Sequence, residues 1–153
     1  MNPFPFFSQE RPESCVPACL RMVLAYYGLQ HTEAEIYTCC ETDVDGTLPS
    51  AAVRCAQHLG FNASAPRLPG LDALKEHLRA GQIFPIVYLN LSPVLGVNVI
   101  HAMIVENIDV QADQVQVIDP AYPPSGQRTI PLGLFEVGWR LVQNQTILVI
   151  PAL

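Results

Sequence analysis

The sequence predicts an α+β protein in which several helices precede an antiparallel sheet. Two observations carry this prediction: apolar residues recur at helical spacing up to about residue 82, and β-branched runs of strand length follow it. Helices that come first and strands that come second are typical of the α+β class. We therefore expect a single domain over 1–153, with a helical half at 1–82 and a sheet half at 83–153.

Four helices are predicted in the first half. The first has a continuous apolar face and ends near Gly28, since glycine commonly terminates a helix. Thr32 and Glu35 have the spacing of a capping box, which predicts that a short second helix begins there. The third and fourth helices are expected at about 49–59 and 71–79, and glycines stand just beyond them.

Four strands and one short helix are predicted in the second half. The runs at 83–91 and 100–108 are almost continuously apolar, as in central strands, whereas 114–119 alternates like a half-exposed strand. A short polar segment joins the last two of these runs, which favours an antiparallel hairpin. A final strand is expected at 145–150, after a short helix at about 132–137.

Charge and hydropathy exclude several classes of protein. The chain has 8 Lys+Arg, 14 Asp+Glu and a net charge of −6, and 50% of its residues are hydrophobic. A disordered chain would be less apolar, and a general nucleic-acid binder would carry a basic stripe. No apolar run reaches the roughly 18 residues that cross a bilayer, and the N-terminus lacks the features of a secretory signal. We expect a cytoplasmic protein with no membrane span and no nucleic-acid partner.

Five cysteines lie in the first third of the chain, and in a cytoplasmic protein they are expected to be reduced thiols. Cys39, Cys40, Cys55 and His58 can be read as zinc ligands. However, adjacent cysteines on a helix point about 100° apart, and no C-x2-C pair supports such a set. The sequence therefore predicts neither a metal nor another cofactor.

A cysteine, a histidine and a carboxylate form a candidate catalytic group. Cys15 begins the first predicted helix, where backbone N–H groups and a partial positive charge stabilise a thiolate. His101 begins an apolar strand, and Asp119 falls opposite it if the hairpin turns near residue 110, so the carboxylate can orient the imidazole. Gln9, six residues before Cys15, offers a neutral amide donor for an oxyanion.

Each of these residues also has a purely structural interpretation. A buried packing thiol would explain Cys15 taken alone, and a hydrogen-bonded structural imidazole would explain His101. Gln9 taken alone is typical of a solvated loop. The predicted meeting of His101 with Asp119 also depends on the register of the hairpin, which the sequence does not fix.

Several segments occur in an order that is typical of one family. Gln9 is followed after five residues by Cys15, which opens C-V-P-A-C-L-R-M-V-L-A-Y-Y-G; H-A-M-I-V-E-N-I and V-I-D-P-A come later. The pattern extends through D-G-T-L-P-S-A-A-V-R-C-A-Q-H-L-G-F, L-x-x-L-K-E-H-L, P-I-V-Y-L and F-x-x-x-W. These segments resemble the papain-like double-glycine leader peptidases, which are best known as N-terminal domains of bacteriocin-exporting ABC transporters and also occur as free-standing forms.

The resemblance implies a papain-like cysteine peptidase fold and a role for each candidate residue. Cys15 would be the nucleophile that forms a thioester, and His101 the general base and acid. Asp119 would orient the imidazole, and Gln9 would donate to the oxyanion. The implied substrate is a leader peptide or protein tail with Gly-Gly before the scissile bond, and the implied partner is an ABC transporter.

Two departures from the family pattern flank Cys15. Ser14 replaces a common acidic residue, and Val16 replaces a common glycine, so the shape beside the sulfur and the substrate stay open. An acyltransferase or isopeptidase that uses the same residues is one alternative function. A non-catalytic peptide-binding module is another.

Overall fold

The computed structural model describes residues 4–81 and 83–152. Gln82, near which the apolar pattern changes from helical to strand-like spacing, lies outside the described residues. No helix in these two ranges is both long and apolar enough to cross a membrane. Across them the chain forms α1 (Cys15–Tyr26), α2 (Glu33–Cys39), α3 (Pro49–His58), β1 (Phe61–Ser64), α4 (Leu71–Gly81), β2 (Ile86–Asn90), α5 (Ser92–Leu95), β3 (Ile100–Asp109), β4 (Gln114–Ile118), β5 (Gln127–Pro131), α6 (Leu132–Arg140) and β6 (Thr146–Pro151).

The strands form one six-stranded sheet in the order β1-β6-β2-β3-β4-β5, and all neighbouring strands are antiparallel. The α+β prediction is therefore confirmed, and the two most apolar runs are the central strands β2 and β3. The prediction of a purely helical first half is wrong in one respect. Strand β1 comes from that half and pairs with β6 at the edge of the sheet.

Helices cover both faces of the sheet, because side chains along its central strands alternate between two apolar clusters. On β3, Ala102 and Ile104 belong to the cluster that contains the buried face of α1. Met103 and Val105 point to the opposite cluster, which contains Trp139 of α6. The near-continuous apolarity of β3 thus follows from burial on both faces.

Helix α1 packs directly against β3, and this contact brings the two halves of the sequence together. The thiol of Cys19, which is fully buried, donates a hydrogen bond to the carbonyl oxygen of Ala102 over 3.6 Å. Cys15 lies one helical turn before Cys19, and His101 precedes Ala102 on the strand. The packing of α1 on β3 therefore fixes Cys15 close to His101.

The prediction that all cysteines are reduced thiols is wrong for two of them. Cys39, at the end of α2, forms a disulfide with Cys55 of α3, and their Cα atoms are 5.3 Å apart, within the usual range for such a bond. Cys40 is buried in the core beside α1 instead, so the adjacent cysteines do point in different directions. Within the described ranges, no group of three or more His, Cys, Asp or Glu side chains is placed to hold a metal ion.

We expect Gly138→Ala to destabilise the contact between α6 and β2. A Cβ atom at this buried position would lie 2.6 Å from the carbonyl oxygen of Asn90, which belongs to the backbone of β2. Overpacking of this kind costs about 1–3 kcal/mol in the free energy of unfolding, which urea denaturation would measure. The matched control is Gly133→Ala on the same helix, where a Cβ meets no atom within 4 Å. An equal loss in both variants would contradict the steric argument.

Candidate active site

A cavity of about 580 Å³ opens at the contact between α1 and β3. Its walls come from the N-terminal segment, the first turn of α1, the loop after α2, the region from α5 to the beginning of β3, and the chain from the end of β4 to β5. All four residues of the predicted constellation line it. Its lining comprises Gln9, Pro12, Glu13, Cys15, Val44, Asp45, Gly46, Leu91, Leu95, Val99, Ile100, His101, Asp119, Ala121 and Arg128.

The imidazole of His101 lies between a carboxylate and a thiol. Its Nε2 atom is 2.7 Å from Oδ1 of Asp119, and Cys15 lies near enough to influence its pKa. Burial would lower the pKa of His101, but its hydrogen bond with Asp119 and the neighbouring Cys15 raise it to about 9. The cationic form of His101 is therefore favoured at neutral pH, next to the sulfur.

The predicted register between His101 and Asp119 is wrong by two residues, although the two side chains do meet. Ile104 pairs with Ile118, so the same register, continued along β3, places His101 opposite Ala121 rather than Asp119. Because side chains on a strand alternate between faces, an error of two residues keeps the same face. Asp119 is then a diagonal neighbour of His101, within reach of its ring.

Asp119 is held by three hydrogen-bond donors. Oδ1 accepts from Nε2 of His101 and, over 2.8 Å, from the backbone N–H of Ala121; Oδ2 accepts from Nη1 of Arg128 over 3.0 Å. Burial would raise the pKa of Asp119, but the bonds from these three residues outweigh it and lower the pKa. The carboxylate is therefore fixed in orientation and favoured as an anion.

Arg128 is a site residue that the sequence analysis missed. Its guanidinium group lies over the ring of Tyr122, 4.9 Å from the centroid, while it donates to Asp119. It belongs to β5, and the polar residues around it gave no apolar pattern from which a strand could be predicted. Arg128 is nine residues from Asp119 in sequence. It lies near Asp119 because the chain turns back after β4 and forms β5 beside it.

Gln9 lines the cavity, but its amide nitrogen is engaged within its own loop. Nε2 donates to the carbonyl oxygens of Arg11 and Pro12, over 2.9 Å and 3.3 Å. These carbonyls fix the orientation of the Gln9 amide, because an amide oxygen in the place of Nε2 would face two acceptors and form no hydrogen bond. Oε1 of Gln9 is buried and has no hydrogen-bond partner among the described residues.

Both sides of the cavity carry exposed apolar side chains. On the sheet side these are Leu95, Val99 and Ile100, and the Ile100 residue is 58% exposed. On the helical side Val44 is 84% exposed. An open cavity with apolar walls and a few convergent polar groups is suited to an extended peptide, whose backbone and side chains it can contact together.

Three solved structures with a similar fold are peptidases or peptidase domains. The peptidase domain of Streptococcus ComA, a bifunctional ABC transporter, is 21% identical and has a TM-score of 0.78, with 97% of this chain and 99% of that chain covered. A double-glycine motif protease from an AMS/PCAT transporter, solved with its leader peptide, is 21% identical (TM-score 0.73; 97% and 91% covered). A C39-like peptidase from Bacillus anthracis is 15% identical (TM-score 0.78; 97% and 95% covered). The fold is that of a papain-like cysteine peptidase.

The sequence comparison gives the family. Residues 3–150 match the Peptidase C39 family, and the chain belongs to it. A curated relative, the pediocin PA-1 transport/processing ATP-binding protein PedD of Pediococcus acidilactici, is 36% identical over 69 residues. That match covers 45% of this chain and 9% of PedD, so the chain spans a small part of that protein.

Proposed function

We propose that this protein cleaves a peptide bond after a Gly-Gly sequence, with Cys15 as the nucleophile and His101 and Asp119 as its catalytic partners. The observation that supports this most directly is the hydrogen bond between His101 and Asp119, in the cavity that Cys15 also lines. A nucleophile, a base beside it, and a third group that orients the base form the arrangement of a catalytic triad.

The first half of the reaction forms a thioester. The Cys15 thiolate attacks the scissile carbonyl carbon, and the carbonyl oxygen takes up the negative charge. When the intermediate collapses, the C–N bond breaks, and the imidazolium of His101 gives its proton to the leaving amine. Asp119 stabilises the imidazolium and holds its ring in one orientation.

The second half of the reaction restores the enzyme. Neutral His101 takes a proton from a water molecule, and the resulting hydroxide attacks the thioester carbon. The C–S bond then breaks, and the peptide acid leaves. His101 is again protonated beside the Cys15 thiolate, so the cycle is balanced in atoms and charge.

Two donors stabilise the oxyanion in this mechanism. One is the backbone N–H of Cys15, at the first position of α1, where helical N–H groups lack partners within the helix. The other is Nε2 of Gln9, which exchanges its longer bond, to the carbonyl of Pro12, for one to the oxyanion. A charged acceptor forms a stronger hydrogen bond than a neutral carbonyl, and this favours the exchange.

The proposed substrate is the leader of an exported peptide, or a protein tail, with Gly-Gly before the cut. The relatives support it: one solved neighbour is a double-glycine motif protease bound to a leader peptide, and PedD is a transport and processing protein. The exposed apolar walls of the cavity provide contacts for apolar side chains upstream of the glycines. By the same argument we infer an ABC transporter as partner and a cytoplasmic site of action.

A panel of fluorogenic peptides tests the substrate. Each peptide carries an apolar segment followed by Gly-Gly, Gly-Ala, Ala-Gly or Ala-Ala before the scissile bond. We expect a kcat/KM for Gly-Gly at least ~10-fold above the others, since one extra methyl group in a close-fitting site changes specificity by about 10–200-fold. Equal cleavage of all four peptides would contradict a Gly-Gly specificity.

Product masses separate the alternative functions. Hydrolysis yields a free carboxylate, whereas an acyltransferase would give an amide whose mass increases with an added amine such as hydroxylamine. An isopeptidase would cut only branched substrates. A peptide-binding module would retain the peptide without cleaving it.

A further inference from the structure

Glu33 is a buried acidic residue that the mechanism above does not use. It is the first residue of α2, and only 2% of its surface is exposed. Both of its carboxylate oxygens accept from the backbone N–H of Glu10, over 3.1 Å and 3.0 Å. Burying a carboxylate is costly unless its hydrogen bonds compensate, so this contact accounts for its position.

The N–H that Glu33 binds belongs to the residue directly after Gln9. The N–H of Gln9 itself donates to the carbonyl oxygen of Pro120, next to Asp119, over 2.8 Å. Two consecutive N–H groups therefore hold the chain at Gln9 from two directions. One is bound to the segment that carries Asp119, and the other to α2.

The side chain of Gln9 depends on these two backbone contacts for its position. Its Oε1 atom has no partner among the described residues, so no bond at that end fixes the amide. Among the described residues, its Nε2 atom bonds to two carbonyls of the same loop, at Arg11 and Pro12, which move with the loop. Any displacement of the backbone at Glu10 would therefore displace the amide as well.

Arg21 supports the same loop from α1. Its guanidinium lies 3.9 Å from the ring centroid of Phe7, and its Nη1 is 3.4 Å from Oε2 of Glu10. These contacts involve exposed or partly exposed groups and are individually weak. Unlike these contacts, the bond between Glu33 and the Glu10 N–H combines a buried carboxyl group with the backbone beside Gln9.

We propose that Glu33 is a positioning residue that sets the oxyanion donor Gln9, by holding the backbone N–H of Glu10. The proposal rests on the proposed function, since it assigns Gln9 to the oxyanion. Glu33 does not touch the substrate in this scheme. Its effect is confined to the steps in which negative charge develops on the carbonyl oxygen.

The test compares two reactions of the same cysteine. Peptide turnover passes through an oxyanion, whereas alkylation of Cys15 by iodoacetamide does not. We expect Glu33→Ala to lower kcat by ~10-fold or more, since small misplacements of catalytic groups cost up to ~10²-fold. We expect its rate of Cys15 alkylation to stay within about 2-fold of the wild type, because the sulfur and imidazole are untouched. Glu33→Gln keeps an acceptor oxygen and should retain most of the turnover.

A double-mutant cycle with Gln9 separates positioning from general structure. Gln9→Ala alone should cost about 10²–10³-fold in kcat, as removal of an oxyanion donor does. If Glu33 acts through Gln9, adding Glu33→Ala to Gln9→Ala should cost little more. Glu35→Ala is the matched control: Glu35 lies on the same helix, is exposed, and contacts His31 instead.

Several results would overturn the proposal. Full additivity of the two substitutions, equal slowing of alkylation and turnover, or unchanged kcat in Glu33→Ala would each do so. If Glu33→Ala does not fold, Glu33→Asp is tested in the same two reactions. Aspartate keeps the carboxylate, but its side chain is one methylene shorter and its oxygens lie farther from the Glu10 N–H. Turnover that persists in Cys15→Ala is a different result: it would contradict the proposed function itself.

Discussion

Cys15→Ala should lower the kcat for a Gly-Gly peptide on the order of 10⁴-fold or more, because no other described residue of the cavity offers a thiol to the carbonyl. Alanine keeps the backbone N–H of the oxyanion site and removes only the sulfur. The peptide should therefore still bind, and KM should change little. Steady-state kinetics with the fluorogenic peptide would measure both parameters.

Cys40→Ala is the control for this experiment. The Cys40 thiol is fully buried in the apolar core, and burial raises its pKa to about 12, so it is an inert group. The control variant should retain turnover and should still be alkylated at Cys15. Full activity in Cys15→Ala would show that the proposed nucleophile is wrong.

His101→Ala should produce the second large loss, again on the order of 10⁴-fold in kcat. The substitution removes the cation near the sulfur and, in the proposed mechanism, the group that carries protons to and from the reacting atoms. The raised pKa of His101, about 9, predicts the pH dependence. The protonated ring persists from acidic pH up to about 9, so wild-type Cys15 should be alkylated readily at about pH 6–7.

His101→Ala should slow the alkylation of Cys15 most strongly at acidic pH, where the thiol depends most on the neighbouring cation. A pH series with iodoacetamide, read by mass spectrometry, would measure it. His58→Ala is the matched control, because His58 is an exposed histidine at the end of α3 and lies outside the cavity. If His101→Ala and His58→Ala give the same pH series, His101 does not activate the sulfur.

The elements that the sequence predicted correctly are those with long apolar patterns. α1 and β3 are examples, since most side chains of α1 and half of those of β3 are buried. Strands β1 and β5 were missed because they lie at the two edges of the sheet and expose about half of their residues. The four residues of α5 are too few to show a helical period.

The candidate site was predicted from residue types at characteristic spacings, and its geometry needed the structure. The order of Gln9, Cys15, His101 and Asp119, together with the resemblance to the double-glycine leader peptidases, led to the expectation of one site. The register was not predictable, because the hairpin turn lies midway between Asp109 and Gln114 rather than at residue 110, and the bulge between Val105 and Asn107 shifts the pairing by one residue without a sequence signal. The contact of Arg128 with Asp119 and the Cys39–Cys55 bond both depend on how elements pack, which local patterns do not encode.

The contact between α1 and β3 also has a consequence for the time at which the protein becomes active. Ribosomes release the N-terminal residues first, so a growing chain exposes its sulfur before the strand with the imidazole exists. An incomplete chain therefore lacks the proposed catalytic pair of Cys15 and His101. Any proteolysis that depends on this pair therefore begins only after the late strands dock onto α1.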